Sequence, residues 1–193
     1  MASGPRRGVR VFVGLGANLA QPRRTLDAAQ RALRAWSGVA DFRASSLYRT
    51  APVDAGGPDF LNAVVSFETP LTPHALLAKL HGLEDDFGRV RPYRNAPRTL
   101  DLDLLLYAAI IEGPGAPNGG RTLSDPTLVV PHPRAHERAF VLEPLAELWP
   151  DAIIPGRGPV ATLRARVNGR ADQWIERFAP VQEGVTTRRS SGP

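Results

Sequence analysis

The sequence has no cysteine, and only one of its 24 lysine and arginine residues is a lysine. Without cysteine the chain has no disulfide bonds, no thiolate nucleophile and no cysteine-ligated zinc. The single lysine, Lys79, lies within a helical pattern, so there is no phosphate-binding Gly-x-x-x-x-Gly-Lys loop. Gly14 and Gly16 could begin a dinucleotide-binding motif, but Leu19 occupies the position of its third glycine, which excludes that motif.

Long apolar stretches are also missing. None approaches the roughly 20 apolar residues of a membrane-spanning helix, and the N-terminus lacks the apolar segment of a signal peptide. We therefore expect a cytoplasmic, monomeric protein without membrane contacts. A chain of 193 residues suits one domain, which we place at residues 1–181. The polar tail 182–193 has no periodicity and is expected to be disordered.

The formal net charge of +5 would permit a nucleic-acid partner. The arginines are scattered along the chain, however, and a strong preference for arginine over lysine is more typical of codon bias than of a binding surface. We therefore expect no nucleic-acid partner. Only one local cluster needs a specific explanation: Arg89, Arg91, Arg94 and Arg98.

Hydrophobic periodicity predicts alternating strands and helices. The predicted strands cover residues 9–15, 43–50, 60–69 and 100–107. Two predicted helices begin at Pro22 and Pro73, and two more cover residues 134–148 and about 159–178. Loops are predicted at 51–59, 88–98 and 113–120. The early order strand, helix, strand, strand, helix, strand is typical of a ferredoxin-like core. We therefore predict an α+β (α/β sandwich) fold, with a mixed or antiparallel sheet covered by helices.

Asp101-Leu102-Asp103 lies within the last predicted strand. Alternate side chains of a strand share a face, so both carboxylates should point one way and Leu102, Leu104 and Leu106 into the core. Two adjacent carboxylates repel each other unless a cation lies between them. Magnesium suits such a pair, because it binds carboxylates together with phosphate oxygens and water. The alternative is a solvated strand end whose acids pair with Arg98.

The arginine cluster just before this pair supports the metal interpretation. The planar guanidinium group can donate two hydrogen bonds to one phosphate. Acidic residues for a metal beside arginines for phosphates is the arrangement that phosphoryl transfer needs, because catalysis there depends on positioning and charge neutralisation.

A flat heterocycle could bind near Phe60 and Asn62, which share one face of a predicted strand, and Phe140. Aromatic rings stack on such ligands and an amide can recognise their polar edge. Ordinary core packing is the simpler explanation of each phenylalanine taken alone. A zinc site at His132 and His136 is disfavoured, because Pro133 interrupts the helix and a third ligand is missing.

Six short motifs follow one another along residues 9–150. They are Gly16-Ala17-Asn18-Leu19, Ser46-Leu47-Tyr48-Arg49-Thr50, Pro58-Asp59-Phe60-Leu61-Asn62-Ala63, Gly88-Arg89-Val90-Arg91, Arg98-Thr99-Leu100-Asp101-Leu102-Asp103-Leu104-Leu105-Leu106-Tyr107 and Val130-Pro131-His132-Pro133. In order and spacing the series resembles the 6-hydroxymethyl-7,8-dihydropterin pyrophosphokinases. A single motif would be weak, but six in series are highly specific.

The resemblance implies that the hydroxymethyl oxygen of the pterin attacks the β-phosphorus of ATP, giving the pterin diphosphate and AMP in folate biosynthesis. It implies that two Mg²⁺ ions bind Asp101 and Asp103, with Arg89, Arg94 and Arg98 also acting in catalysis. The implied pterin-binding residues are Thr50, Val53, Phe60, Asn62 and Phe140. The implied ATP-binding residues are Glu84, Arg91, Arg98, Leu104, His132 and Arg138.

The chain departs from the family pattern at a few positions. Asn95 stands where many members have a tryptophan, Thr127 where some have an arginine, and Val129 where some have a threonine. Three alternatives stay open at this point: another magnesium-dependent nucleotide transferase, a ferredoxin-like nucleic-acid binding module, and a catalytically inactive relative.

Overall fold

The computed structural model describes residues 8–52, 57–88, 99–108 and 122–179. The strands are β1 Val9–Ala17, β2 Ala40–Ala44, β3 Tyr48–Thr50, β4 Phe60–Thr69, β5 Asp101–Ala108, β6 Leu123–Ser124, β7 Val129–Val130, β8 Ile153–Ile154, β9 Gly158–Pro159 and β10 Ile175–Arg177. The helices are α1 Pro22–Arg34, α2 Pro73–Asp86, α3 Ala139–Leu148 and α4 Val160–Val167, with 3-10 turns at Ala135–Glu137 and Ala171–Gln173. No helix within these ranges is both long and apolar enough to span a bilayer.

A six-stranded sheet organises the fold. Its order is β10-β3-β4-β1-β5, β2 also pairs with β4, and each of these pairs is antiparallel. Two-stranded ribbons are formed by β6 with β7 and by β8 with β9. The α+β class and the predicted order of the core elements are confirmed.

Helices cover both faces of the sheet. Alternate residues of β1, from Val11 to Leu15, pack against α1 and α2 on one face. On the other face, Phe12 packs with residues of α3 and α4 and stacks on Trp149, with ring centroids 5.2 Å apart. Burial on both faces explains why the central strands are almost continuously hydrophobic.

The predicted strand over 43–50 is wrong as one element, because the chain forms β2 and β3 with a break at Ser45. The Ser45 hydroxyl accepts a hydrogen bond from the Val64 backbone amide at 3.0 Å and donates one to the Ser46 carbonyl at 2.8 Å. A side chain therefore takes up backbone groups that a continuous strand would pair, which is typical of serine near strand ends.

The predicted helix over 159–178 is also wrong beyond Val167. Gly169 has a φ of 84°, which ends the helical path, and β10 then pairs with β3. In the predicted helix 134–148, a 3-10 turn comes first and α3 starts at Ala139. In both segments the spacing of apolar residues suits a helix, but the structure formed depends on contacts with distant parts of the chain.

A bulge interrupts the alternation of β5. Phe12 lies opposite Leu106 while Val13 lies opposite Leu104, so Leu105 is the extra residue. Leu105 and Leu106 both pack on the α3 face, whereas Leu102 and Leu104 pack on the α1–α2 face. The expectation that Leu106 shares a face with Leu102 and Leu104 is therefore wrong.

Candidate active site

Asp101 and Asp103 lie opposite two glycines of β1. Gly16 pairs with Asp101 and Gly14 with Asp103, and on the other side of β1 Gly16 pairs with Asn62. A Cβ atom at Gly16 would lie 3.2 Å from the Asn62 Oδ1 atom and 4.0 Å from the Asp101 Cβ atom. A larger residue at position 16 would therefore fill the space between the amide and the carboxylate.

The glycines form the floor of a cleft between the sheet and the start of α3. Asp101 and Asp103 border it on one side and Phe140 of α3 on another. The lining residues are Gly14, Leu15, Gly16, Asn62, Ala63, Asp101, Asp103, Leu105, Phe140 and Val141. The structure thus brings the predicted acid pair together with an amide and an aromatic ring.

The Asn62 amide is held in a defined orientation. Asn62 and Thr50 are both buried, and the Asn62 Nδ2 atom donates to the Thr50 Oγ1 atom at 2.9 Å. Because the nitrogen is engaged there, the Oδ1 atom is directed toward Gly16. Phe60 lies two residues earlier on β4, and its Cδ1 atom is 4.0 Å from the position that a Cβ atom at Gly16 would occupy. Thr50, Phe60 and Asn62, which are expected to bind the pterin, are therefore neighbours.

A second recess, which we call the groove, reaches Asp103 as well. It runs between α2, β5 and the segment 125–133. Its lining residues are Leu77, His81, Leu102, Asp103, Leu104, Asp125, Pro126, Thr127, Leu128, Val129, His132 and Pro133. Asp103 borders both the cleft and the groove, so the two recesses meet at this residue.

Arg138 lies close to Asp103 at the start of α3. Its Nη1 atom is 4.0 Å from the Asp103 Oδ2 atom, and its guanidinium carbon is 5.3 Å from the centre of the Phe140 ring. Burial lowers the pKa of Arg138, and the neighbouring Arg134 acts in the same direction while Asp103 opposes it. A guanidinium group stays protonated in proteins, so Arg138 supplies a positive charge beside the acid pair.

His132 lies in the groove as a neutral imidazole. Burial lowers its pKa, although the charges of Asp103 and Asp101 act in the opposite direction. Its Nδ1 atom accepts a hydrogen bond from the Arg134 backbone amide at 3.2 Å, so the ring proton is on Nε2. The backbone amide of His132 donates to the Leu105 carbonyl at 2.9 Å, which ties this segment to β5.

Glu84, near the end of α2, is almost completely buried, with 1% of its surface exposed. Its Oε1 atom accepts a hydrogen bond at 2.9 Å from the backbone amide of Leu102, the residue between the two acids. The carboxylate therefore supports the strand that presents Asp101 and Asp103. The ATP-side role expected for Glu84 stays a prediction.

Sequence reasoning missed Asp125. One carboxylate oxygen accepts from the Thr127 and Leu128 backbone amides and from the Thr127 hydroxyl at 2.7–2.9 Å. The other oxygen lies 2.8 Å from the His74 Nε2 atom on α2. These contacts shape the outer wall of the groove. The signal in the sequence was the Asp125-Pro126-Thr127 turn, because aspartate often accepts from backbone amides two residues later.

Five expected site residues lie outside the described ranges: Val53, Arg89, Arg91, Arg94 and Arg98. The predicted loop 113–120 and Asn95 lie outside them as well. At the two departures that are described, the Thr127 hydroxyl is bonded to Asp125 and Val129 is 39% exposed at the groove.

The Asp125 contacts predict a pH dependence. The Thr127 hydroxyl, followed by backbone amides, lowers the pKa of Asp125 from 3.8 to about 2. A lowered pKa stabilises the fold above the unfolded-state pKa, and this stabilisation is lost as the pH falls from about 4 toward 2. We expect Asp125→Ala to lower the free energy of unfolding at pH 7, and the difference from the wild type to become small near pH 2.

Urea unfolding of the wild type and the variant between pH 7 and pH 2 measures this difference. Asp151→Ala, which removes another surface carboxylate, is the control. A difference between Asp125→Ala and the wild type that stays constant down to pH 2 would contradict the assignment.

A sequence model of the family described as 7,8-dihydro-6-hydroxymethylpterin-pyrophosphokinase (HPPK) matches residues 12–150. A 2-amino-4-hydroxy-6-hydroxymethyldihydropteridine pyrophosphokinase of Methylorubrum extorquens is 41% identical over 148 residues, covering 76% of this chain and 87% of that protein. The protein of the same name from Pseudomonas aeruginosa is 42% identical over 147 residues, covering 76% and 84%. A folate synthesis bifunctional protein of Arabidopsis thaliana is 39% identical over 144 residues, covering 74% and 24%.

Solved structures with a similar fold were also found. A crystal structure of an HPPK-DHPS in complex with substrates has a TM-score of 0.58 at 12% identity, covering 82% of this chain and 43% of that chain. Plasmodium falciparum HPPK-DHPS with pteroate has a TM-score of 0.57 at 12% identity, covering 86% and 43%. The chain thus spans less than half the length of these two structures, and the likeness shows the fold alone. The sequence matches show the family: this chain belongs to the 7,8-dihydro-6-hydroxymethylpterin-pyrophosphokinases.

Proposed function

We propose that this chain transfers a diphosphate from ATP to the hydroxymethyl group of 6-hydroxymethyl-7,8-dihydropterin. The products are the pterin diphosphate and AMP, and the step belongs to folate biosynthesis. The observation that carries the proposal is the meeting of the cleft and the groove at Asp103. A pterin in the cleft and a nucleotide in the groove would face each other across the acid pair.

Asp101 and Asp103 would bind two Mg²⁺ ions. The donor set fits, because both carboxylates are only partly buried and lie on the same face of β5 above glycines. Within the described ranges, no group of three or more acidic or histidine side chains could hold a metal. Phosphate oxygens and water would therefore supply further ligands, as magnesium prefers. Bound there, the ions would neutralise charge on the transferring phosphates.

The protein groups around the acids would orient the two substrates. On the cleft side, the Asn62 oxygen can accept from the polar edge of a pterin, because Thr50 already engages its nitrogen. On the groove side, the Nε2–H group of neutral His132 can donate to phosphate oxygens, and the Arg138 guanidinium beside Asp103 can do so as well. Each group is charged or oriented before substrate arrives, which is the requirement for electrostatic catalysis.

The remaining expected roles rest on the family pattern. Arg89, Arg94 and Arg98 would act in catalysis, Arg91, Arg98 and Leu104 would bind ATP, and Val53 would contact the pterin. The cytoplasmic location, the monomeric state, the absence of a nucleic-acid partner and the single domain at 1–181 stay predictions as well.

Product analysis tests the reaction. The purified chain is incubated with ATP, Mg²⁺ and the reduced pterin, and the nucleotides are separated by anion-exchange chromatography. Attack at the β-phosphorus releases AMP and adds a diphosphate to the pterin mass. Release of ADP, or AMP without a heavier pterin, would overturn the proposal in favour of another nucleotide transferase.

Replacing the acids tests the metal assignment. We expect Asp101→Asn and Asp103→Asn each to keep the fold and to slow AMP release by at least about a hundredfold, the scale of losing one electrostatic stabiliser. ATP binding should depend strongly on Mg²⁺ in the wild type and less in either variant. Calorimetric titration with and without Mg²⁺, beside the AMP assay, measures both effects.

Asp151→Asn is the matched control for these variants, because Asp151 is an exposed carboxylate outside the cleft and the groove. It should retain normal turnover. If the acids only form surface ion pairs, the Asn variants will lose stability and keep their specific activity. Near-normal AMP release by either variant would refute the metal site.

The aromatic residues give a separate prediction. If Phe60 and Phe140 stack on the pterin, Phe60→Ala and Phe140→Ala should weaken pterin binding and leave ATP binding nearly intact. Such a stacking contact contributes on the order of 1 kcal/mol beyond the area it covers. Phe42→Ala is the control, since Phe42 packs on Phe67 with ring centroids 6.1 Å apart. Equal loss of both ligands would show that the rings are core residues.

A further inference from the structure

Residues 173–178, which we call the C-terminal clasp, lie beyond the 12–150 range of the family match and contact α3 near both of its ends. At the start of α3, the Gln173 Oε1 atom accepts from the Ala139 backbone amide at 2.9 Å. Near the other end, Arg177 contacts Glu147 at 3.3 Å and also donates to the Ser46 hydroxyl. The clasp therefore spans most of the helix that carries Phe140.

The C-terminal clasp also pairs with β3 as an antiparallel strand. Ile175 pairs with Thr50 and Arg177 with Tyr48, and the Phe178 backbone amide donates to the Leu47 carbonyl at 2.8 Å. Thr50 is the residue whose hydroxyl accepts the Asn62 amide. One short segment is thus bonded both to the strand that orients Asn62 and to the helix on the other side of the cleft.

The Gln173 contact acts at one particular peptide. The amide of Ala139 belongs to the peptide that joins Arg138 to Ala139, and the first amides of a helix have no acceptor within the helix. Arg138 precedes that peptide and lies 4.0 Å from Asp103. Phe140 is the second residue after it and lines the cleft. Fixing this peptide constrains the first turn of α3, from which both side chains extend.

We propose that Gln173 is a positioning residue for the pterin-facing side of the cleft. It holds the first turn of α3 so that Phe140 and Arg138 face the acid pair. Gln173 is itself held by the Arg170 carbonyl, which accepts its backbone amide at 2.9 Å, and by Asp172, which accepts from its Nε2 atom at 3.2 Å. This inference rests on the proposed function for its substrate, but its geometric part can be measured without turnover.

Three variants test the proposal. Gln173→Ala removes the acceptor and should raise the KM for the reduced pterin about fivefold, the change that corresponds to losing a typical helix cap. The kcat should change less than the KM. Gln173→Glu keeps an oxygen at the same reach, beside the positive end of a helix, but replaces the donor to Asp172 by a second carboxylate, so it should restore the KM in part. Glu176→Gln changes an exposed side chain of the clasp that pairs with Arg49 at 2.9 Å; because exposed ion pairs contribute little, this variant should behave like the wild type.

Hydrogen exchange of the Ala139 amide supplies the readout that is independent of activity. Exchange should be faster in Gln173→Ala than in the wild type, and slower in Gln173→Glu than in Gln173→Ala. An unchanged pterin KM, or unchanged Ala139 exchange, in Gln173→Ala would overturn the proposal. A fall in kcat with an unchanged KM that Gln173→Glu does not rescue would indicate a merely structural role, and would overturn it too.

The two proposals can fail separately. If the wild type releases no AMP, the proposed function is wrong, and the exchange data alone decide whether Gln173 holds the start of α3. If the wild type releases AMP and the Gln173 variants match it in KM and in exchange, only the positioning role is wrong.

Discussion

Two like charges must be kept side by side at Asp101 and Asp103, and this requirement explains much of the surrounding structure. Repulsion between carboxylates is tolerated where solvent or a cation can reach them and where positive groups lie near. The glycines of β1 leave that access open. Arg138 lies beside Asp103, and the strand that presents the acids is supported from α2 by Glu84. The cleft borders both acids, and the groove borders Asp103.

Burial and neighbouring charges determine the charge states of His132 and Arg138. His132 is buried enough that its charged form is disfavoured even beside two acids. A neutral imidazole with its proton on Nε2 can donate to a phosphate without forming an ion pair with Asp103. Arg138 keeps its charge despite burial, because guanidinium is the most basic side chain. Among the described residues, the site therefore combines a permanent cation, Arg138, with a neutral donor, His132.

Local sequence patterns were sufficient for part of this site. The alternation in Asp101-Leu102-Asp103 and the pattern of β4 predicted which side chains share a face, because a strand has a period of two. The breaks between β2 and β3 and within β5 escaped prediction, since each depends on a partner distant in sequence: Val64 for Ser45, and β1 for Leu105. The role of Gln173 was not predicted for the same reason, because the amide from which it accepts a hydrogen bond belongs to Ala139, which is distant in sequence.

The bulge at Leu105 gives β5 two phases of alternation within one strand. Before it, Asp101 and Asp103 point toward the α3 face; after it, Tyr107 points toward the α1–α2 face, where its hydroxyl donates to the Leu71 carbonyl at 2.8 Å. In an uninterrupted strand, Tyr107 would share the face of the acids. Deleting a residue here would force the chain to misdirect either the acids or the tyrosine. The extra residue Leu105 therefore lets the acids face α3 and Tyr107 face α1 and α2 within one continuous strand.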